Sequence, residues 1–161
     1  SEKILFKDKS FDIVFSSHVL EHVNNEQKSL VEMKRVLKHD GTLIIGMPTA
    51  TMAWISFITQ MVFTTHMRIV NVLLKPFINT GRQKLIHIFL PPSHSSFDKT
   101  ILYDFVHYRV NNWKKIVSSE FEIQKTLLPC LYPFPEYIQW VPMIKSSYWS
   151  SSVFFVCSKK K

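Results

Sequence analysis

Residues 6–48 read FKDKSFDIVFSSHVLEHVNNEQKSLVEMKRVLKHDGTLIIGMP, and this stretch decides the fold of the chain. The apolar, β-branched run at residues 11–15 predicts a buried strand, and residues 42–47 predict a second one that ends at Pro48. The segment between them has helical periodicity. A helix that connects two buried strands makes them parallel neighbours through a right-handed crossover, so we predict an α/β fold.

The intervening helix carries its own start and stop signals. Asn24 or Asn25 is expected to cap its amino end, with Glu26 in the first turn. After His39 and Asp40, Gly41 is expected to end the helix with a positive φ. Four apolar residues recur at helical spacing and predict the face that packs on the sheet: Leu30, Met33, Val36 and Leu37.

Residues 49–98 are predicted to form a helical insertion or lid within a single partial domain that spans residues 1–161. Two helices are expected near residues 50–63 and 65–79, with a break around Thr64 and Thr65. The charge-free window of residues 42–65 is long enough for a membrane span, but its strand-like start, Pro48 and polar residues argue against one. Packing on the domain, and contact with a membrane surface through residues 50–84, both remain open.

The remainder of the chain predicts one more helix and two more strands. A short helix or an extended segment is expected between Lys99 and Tyr108. Asn111 or Asn112 is expected to cap a helix that carries Trp113. Residues 121–128 and residues 153–157 are predicted strands, and the long connection at residues 130–149 contains three prolines.

Composition narrows the classes of function. The net charge of +8 fits a solvated surface or an anionic partner, and no zinc-finger or RNA-binding signature points to nucleic acid. Cys130 and Cys157 lack the spacing of a metal site or a disulfide framework, which favours a cytoplasmic protein. The chain has only three glycines and no cluster of them, although loops that cradle phosphates or nucleosides need several.

Four segments resemble the small-molecule class I S-adenosylmethionine-dependent methyltransferases. Residues 6–12 are similar to that family's approach to its fourth strand, and residues 16–23 are similar to the segment that follows this strand. Residues 32–41 are similar to the helix before the fifth strand. A Trp-bearing helix ahead of two strands, in residues 111–158, resembles the family's carboxyl-terminal part.

The resemblance implies a partial Rossmann-like methyltransferase fold in which this chain supplies strands four to seven, the last of them antiparallel. Strands one to three, with the glycine-rich cofactor loop, are expected before Ser1. Residues 11–15 would then form an open apolar edge that pairs with the missing amino-terminal half or with a second copy. The implied cofactor is S-adenosyl-L-methionine, and the implied cofactor-binding residues are Ser1, Asp8, Ser16, Ser17 and His18.

His18, Glu21 and His22 are the candidate catalytic residues. Their spacing of i, i+3 and i+4 would place all three on one face of a helical turn, an arrangement that suits a divalent metal. Some related quinone-type enzymes have a metal-binding Glu-x-x-Glu-His at this point, where this chain has His18 in the first position. Two alternatives to metal binding remain open: Glu21 and His22 make hydrogen bonds that only fix the loop, or one of the residues acts directly as an acid or base. The histidines of the insertion are expected to be surface or packing residues: His66, His87 and His94.

The leading hypothesis for function is methyl transfer to a small-molecule or to a lipid- or glycan-linked acceptor. Because the glycine-rich loop is missing, residues 1–161 alone are expected to be inactive. The alternative is a truncated, non-catalytic remnant or binding module. Either reading is compatible with a cytoplasmic protein that touches a membrane peripherally.

Overall fold

The computed structural model describes residues 3–74, 93–95, 99–129 and 149–160. Its four strands are β1 (Phe11–Ser17), β2 (Leu37–Pro48), β3 (Phe121–Leu127) and β4 (Ser152–Lys159). Its four α-helices are α1 (Glu26–Val36), α2 (Ala50–Leu74), α3 (Ile101–His107) and α4 (Val110–Val117). A short 3₁₀ turn, Leu20–His22, follows β1.

The strands form one sheet in the order β1-β2-β4-β3. β1 is parallel to β2, in a register that pairs Phe15 with Ile44. β4 is antiparallel to β2 on one side and to β3 on the other. The predicted α/β fold and its antiparallel last strand are therefore confirmed.

The core lies against β2 and β4, the two inner strands of this sheet. Leu43, Ile45 and Met47 of β2 are fully buried, as is Phe155 of β4. The indole N–H of the buried Trp113 on α4 donates to the carbonyl oxygen of Pro48 at 2.8 Å. This bond attaches α4 to the carboxyl end of β2, because a buried indole donor needs a partner.

The helix α1 begins as predicted and ends earlier than predicted. The side chain of Asn25 accepts a hydrogen bond from the backbone N–H of Lys28 at 2.8 Å, and the predicted apolar face is buried. However, β2 starts at Leu37, directly after α1, and Gly41 lies inside this strand without a positive φ. A Cβ at Gly41 would approach Cγ of Leu37 to 2.7 Å, so close packing explains this glycine.

Two further predictions about helices were wrong. The helix α2 is continuous through Thr64 and Thr65, because Ala50–Leu74 contains neither proline nor glycine to interrupt its backbone hydrogen bonds. Asn111 and Asn112 lie inside α4, whose N-cap residue is Arg109. Residues 75–79, the end of the predicted second helix, lie outside the described residues.

In the parts of the chain that the structure describes, no helix combines the length and the apolar character that a membrane crossing requires.

The strand β1 is less buried than its apolar sequence predicts. Ile13 and Phe15 are 61% and 64% exposed, and within the described residues β1 pairs only with β2. The expectation of a strand buried on both faces is therefore wrong for these residues, since no described element covers this face.

The guanidinium of Arg35 attaches the segment before β1 to α1. It donates to the carbonyl oxygens of Ile4 and Phe6, each at 2.9 Å, and to the carboxylates of Asp8 and Glu32. Glu32 also accepts from the backbone N–H of Ile4 at 3.0 Å. The Arg35 hydrogen bonds, with this backbone bond, hold the pKa of Glu32 at about 2, well below its ordinary 4.5.

We predict that Glu32→Gln removes part of the acid sensitivity of folding. The lowered pKa means that the folded state favours the ionised carboxylate. The stabilisation is therefore present above about pH 4.5, the ordinary value, and is lost as the pH falls towards about 2. Urea unfolding between pH 2 and 6 should show a shallower decline in the free energy of unfolding for the variant than for the natural chain.

Glu122→Gln is the matched control, because Glu122 on β3 is exposed and lies far from Arg35 in the fold. This control should keep the slope of the natural chain. Identical slopes for Glu32→Gln and the natural chain would show that the Arg35 contacts do not couple to folding.

Candidate functional site

The polar cluster of this protein lies at the sheet edge where β1 and β2 end. Parallel strands bring their carboxyl ends to the same edge, and the antiparallel β4 begins there. Ser17 pairs with Gly46, and Pro48 pairs with Ser152. Ligands of open parallel sheets bind outside the carboxyl ends of strands, so this edge is the place to look for a site.

His18 makes the turn out of β1 and contacts β4. Its backbone N–H donates to the carbonyl oxygen of Gly46 at 2.9 Å, and its φ of 53° is left-handed. Its Nε2 lies 2.9 Å from Oγ of Ser152. Burial, followed by the nearby rings of His94 and His22, lowers the pKa of His18, which favours the neutral imidazole.

Glu21 projects from the 3₁₀ turn into the protein. Its side chain is fully buried, and neither carboxylate oxygen has a hydrogen-bond partner among the described residues. Its Oε1 lies 3.7 Å from Nδ1 of His18 and 4.0 Å from Nε2 of His22. Burial raises the pKa of the Glu21 carboxyl group, and the backbone of Glu21 itself and then His22 oppose the shift.

His94, an exposed residue as expected, joins this cluster from a distant part of the chain. The buried carboxylate of Asp104 on α3 accepts from the hydroxyl of Ser93 at 2.6 Å and from the backbone N–H of His94 at 2.8 Å. The rings of His22 and His94 are then 5.4 Å apart. Burial lowers the pKa of His94.

The structure brings together most of the predicted site residues. His18, Glu21 and His22 are neighbours, with Ser16 and Ser17 at the end of β1 beside them. They do not share one helical face as predicted, because His18 lies outside the 3₁₀ turn in a left-handed conformation.

Asp8 lies apart from this group. It pairs with Arg35 at the amino end of β1, roughly 20 Å away along the strand. Ser1 and His87 fall outside the described residues, as does the side chain of His66.

A cavity of about 230 Å³ lies between α2 and α3, next to the cluster. His94 lines it, as do Asp104 and Tyr108 of α3 and its flank. Its opposite wall is formed by α2 residues of mixed polarity: Met52, Ala53, Ser56 and Gln60. The imidazole of His94 is therefore shared between the polar cluster and the cavity.

Comparison with known sequences finds one family across the amino-terminal part. Residues 1–45 match the family described as Methyltransferase domain. A protein of Methanocaldococcus jannaschii, named "Uncharacterized protein MJ1123", is 47% identical over 45 residues, which are 28% of this chain and 22% of that protein.

Two solved structures share the fold over nearly the whole chain. One is an S-adenosylmethionine-dependent methyltransferase of Thermotoga maritima, described as a possible histamine N-methyltransferase. It is 17% identical, with a TM-score of 0.56, and the match covers 99% of this chain and 61% of that one. The other is a candidate S-adenosylmethionine-dependent methyltransferase of Listeria monocytogenes, with 16% identity, a TM-score of 0.52, and coverage of 99% and 66%. The chain thus spans less than two thirds of each of these proteins.

We predict that Asp104→Ala destabilises the fold by about 3 kcal/mol, because it leaves the Ser93 hydroxyl and the His94 N–H without their acceptor. Asp12→Ala is the matched control: Asp12 is an exposed carboxylate paired with Lys38, and its loss should cost at most about 1 kcal/mol. Urea unfolding measures both. Equal costs would show that Asp104 does not anchor the segment that carries His94.

Proposed function

We propose, from the sequence match and the fold of a class I S-adenosylmethionine-dependent methyltransferase, that residues 1–161 form the carboxyl-terminal part of such an enzyme. The observation that carries this proposal is the position of the polar cluster. It lies at the carboxyl ends of β1 and β2, within a chain whose first 45 residues match the methyltransferase family. The proposed reaction is methyl transfer to a small-molecule acceptor.

We place the donor beside the end of β1. Ser16, Ser17 and His18 end this strand at the edge where open parallel sheets bind ligands. The 161 residues contain only three glycines, and these are not clustered as they are in loops that cradle a nucleoside. Binding of S-adenosyl-L-methionine therefore requires a glycine-rich strand and loop from outside these residues, and the chain by itself is inactive.

We place the acceptor in the cavity between α2 and α3. Its volume of about 230 Å³ suits a small molecule, or the reactive end of a larger one, better than a whole lipid- or glycan-linked substrate. In the transfer, the bond from the acceptor oxygen to the methyl carbon forms as the bond from sulfur to that carbon breaks. The hydroxyl proton passes to an imidazole, and the cluster offers His18, His22 and His94, of which His94 lines the cavity.

We predict that isothermal titration with S-adenosyl-L-methionine gives no saturable heat for residues 1–161 alone. The same residues joined to the sequence encoded directly upstream should bind one equivalent. In that longer chain, Ser17→Phe should weaken binding by roughly tenfold or more, because the added ring would fill the space beyond the end of β1.

Ser119→Phe is the matched control, since Ser119 precedes β3 at the opposite edge of the sheet and should leave donor affinity unchanged. Failure of both chains to bind the donor would contradict the proposal and favour a non-catalytic remnant. Tight binding to residues 1–161 alone would contradict the requirement for an outside loop.

We also propose that the exposed edge of β1 is the surface on which the preceding strands of the domain pack. Leu5 and Phe6 before β1, and Ile13 and Phe15 on its uncovered face, are all more than half exposed. Such an apolar edge with unpaired backbone groups is a template for another strand. Residues 1–161 in isolation would use it to bind a second copy.

We predict that sedimentation velocity shows residues 1–161 self-associating at concentrations of tens of micromolar. Replacing Ile13 and Phe15 together by lysine should yield a monomer, because charges on an edge strand oppose pairing. Leu102→Lys, on the exposed face of α3, is the control and should still associate. A monomeric natural chain would contradict the proposal.

A further inference from the structure

A group of metal-binding residue types lies where the polar cluster meets the cavity. Glu21, His22 and His94 each offer one ligand atom, and these atoms all lie within 4.8 Å of one another. Glu21 and His22 belong to the 3₁₀ turn after β1. His94 comes from the segment that Asp104 anchors on α3.

The carboxylate of Glu21 is the observation that points to a ligand. Its side chain is fully buried, and both oxygens lack a hydrogen-bond partner within the described part of the chain. An ionised carboxylate in such a place costs several kcal/mol unless a cation or donors compensate it. The imidazole nitrogens of His18 and His22 lie 3.7 Å and 4.0 Å from Oε1, too far for hydrogen bonds.

We propose that Glu21, His22 and His94 bind one divalent transition-metal ion of the zinc type. Two imidazoles and one carboxylate form the donor set of zinc sites that keep a coordination position open. Calcium and magnesium are the poorer fit, because they prefer sites made of oxygen ligands.

The residues fit this ion after a small closure of the site. Ligand atoms that share a tetrahedral zinc at about 2.0–2.1 Å lie roughly 3.3 Å apart, so separations of up to 4.8 Å must shrink by up to roughly 1.5 Å. The side chains of His22 and His94 are exposed and can rotate, while Glu21 stays in place. When bound, the ion would act as a Lewis acid beside the acceptor cavity, since His94 also lines that cavity.

The third ligand is His94 and not His18, which the spacing in the sequence favoured. The Nε2 of His18 is engaged by Oγ of Ser152 at 2.9 Å, and the ring is held by the turn at the end of β1. We therefore assign His18 no role as a ligand of this ion. The inference concerns metal binding itself and does not depend on methyl transfer.

Zinc binding to the 161-residue chain tests this proposal, measured by equilibrium dialysis with elemental analysis. We expect one equivalent for the natural chain. Glu21→Gln and His94→Ala should each weaken the affinity by roughly tenfold or more, since each removes a ligand. His18→Asn, which tolerates the left-handed backbone, should stay within roughly threefold of the natural chain.

His39→Ala is the matched control, because this histidine is exposed, pairs with Asp40 and lies far from the group. It should bind zinc like the natural chain. Absence of stoichiometric zinc from the natural chain would overturn the proposal. So would an unchanged affinity in both ligand variants, or a loss of binding in His18→Asn with none in His94→Ala.

A variant that gains a spectroscopic signal on metal binding separates loss of a ligand from misfolding, since a misfolded variant would not gain the signal. His94→Cys should bind cobalt(II) with a thiolate-to-metal charge-transfer band, because the new sulfur enters the coordination sphere. His39→Cys should show no such band, which also controls for the natural cysteines. Equal bands in the two variants, or no band in His94→Cys while its circular dichroism remains native, would overturn the assignment of His94.

Discussion

The pairing of β2 with strands of opposite direction on its two sides is the constraint on which this structure depends. Its parallel partner β1 ends beside it, while its antiparallel partner β4 begins at that same edge. Only this combination brings His18, at the end of β1, within hydrogen-bond distance of Ser152, at the start of β4. The buried side chains of β2 hold both partners in register, because a slip by one residue would turn its apolar face outward.

Local patterns in the sequence predicted most of the fold, and long-range packing accounts for the errors. The cap at Asn25 and the buried face of α1 follow from spacings of three and four residues, which a helix imposes directly. The early end of α1 depends instead on Leu37, which leaves the helix to pair with Phe11 across the sheet. Gly41 is explained by close packing against Leu37 and against the backbone oxygen of Asp12 on β1, which turn chemistry alone does not predict.

The residues of the candidate site also differ in whether local sequence patterns could predict them. His18, Glu21 and His22 stand close together in sequence, and their residue types and spacing predicted a shared site. His94 carries no comparable local signal, because it reaches the group only through the acceptor that Asp104 offers to its backbone. His94 stands in a run of small polar residues, and this is the only sequence signal around it. Such a run predicts a loop but does not predict a site.

The buried carboxylate of Glu21 indicates that this edge of the sheet is a functional site and not only a structural loop. A loop that needed only shape would place an apolar side chain at this position, since burying an unpaired acid lowers stability. Departures of this kind from the rules of stable packing concentrate at functional sites, where the function compensates for the loss. His22 and His94 beside Glu21 are exposed, and His94 also lines the cavity, so an incoming ligand could reach this point and supply the missing interaction.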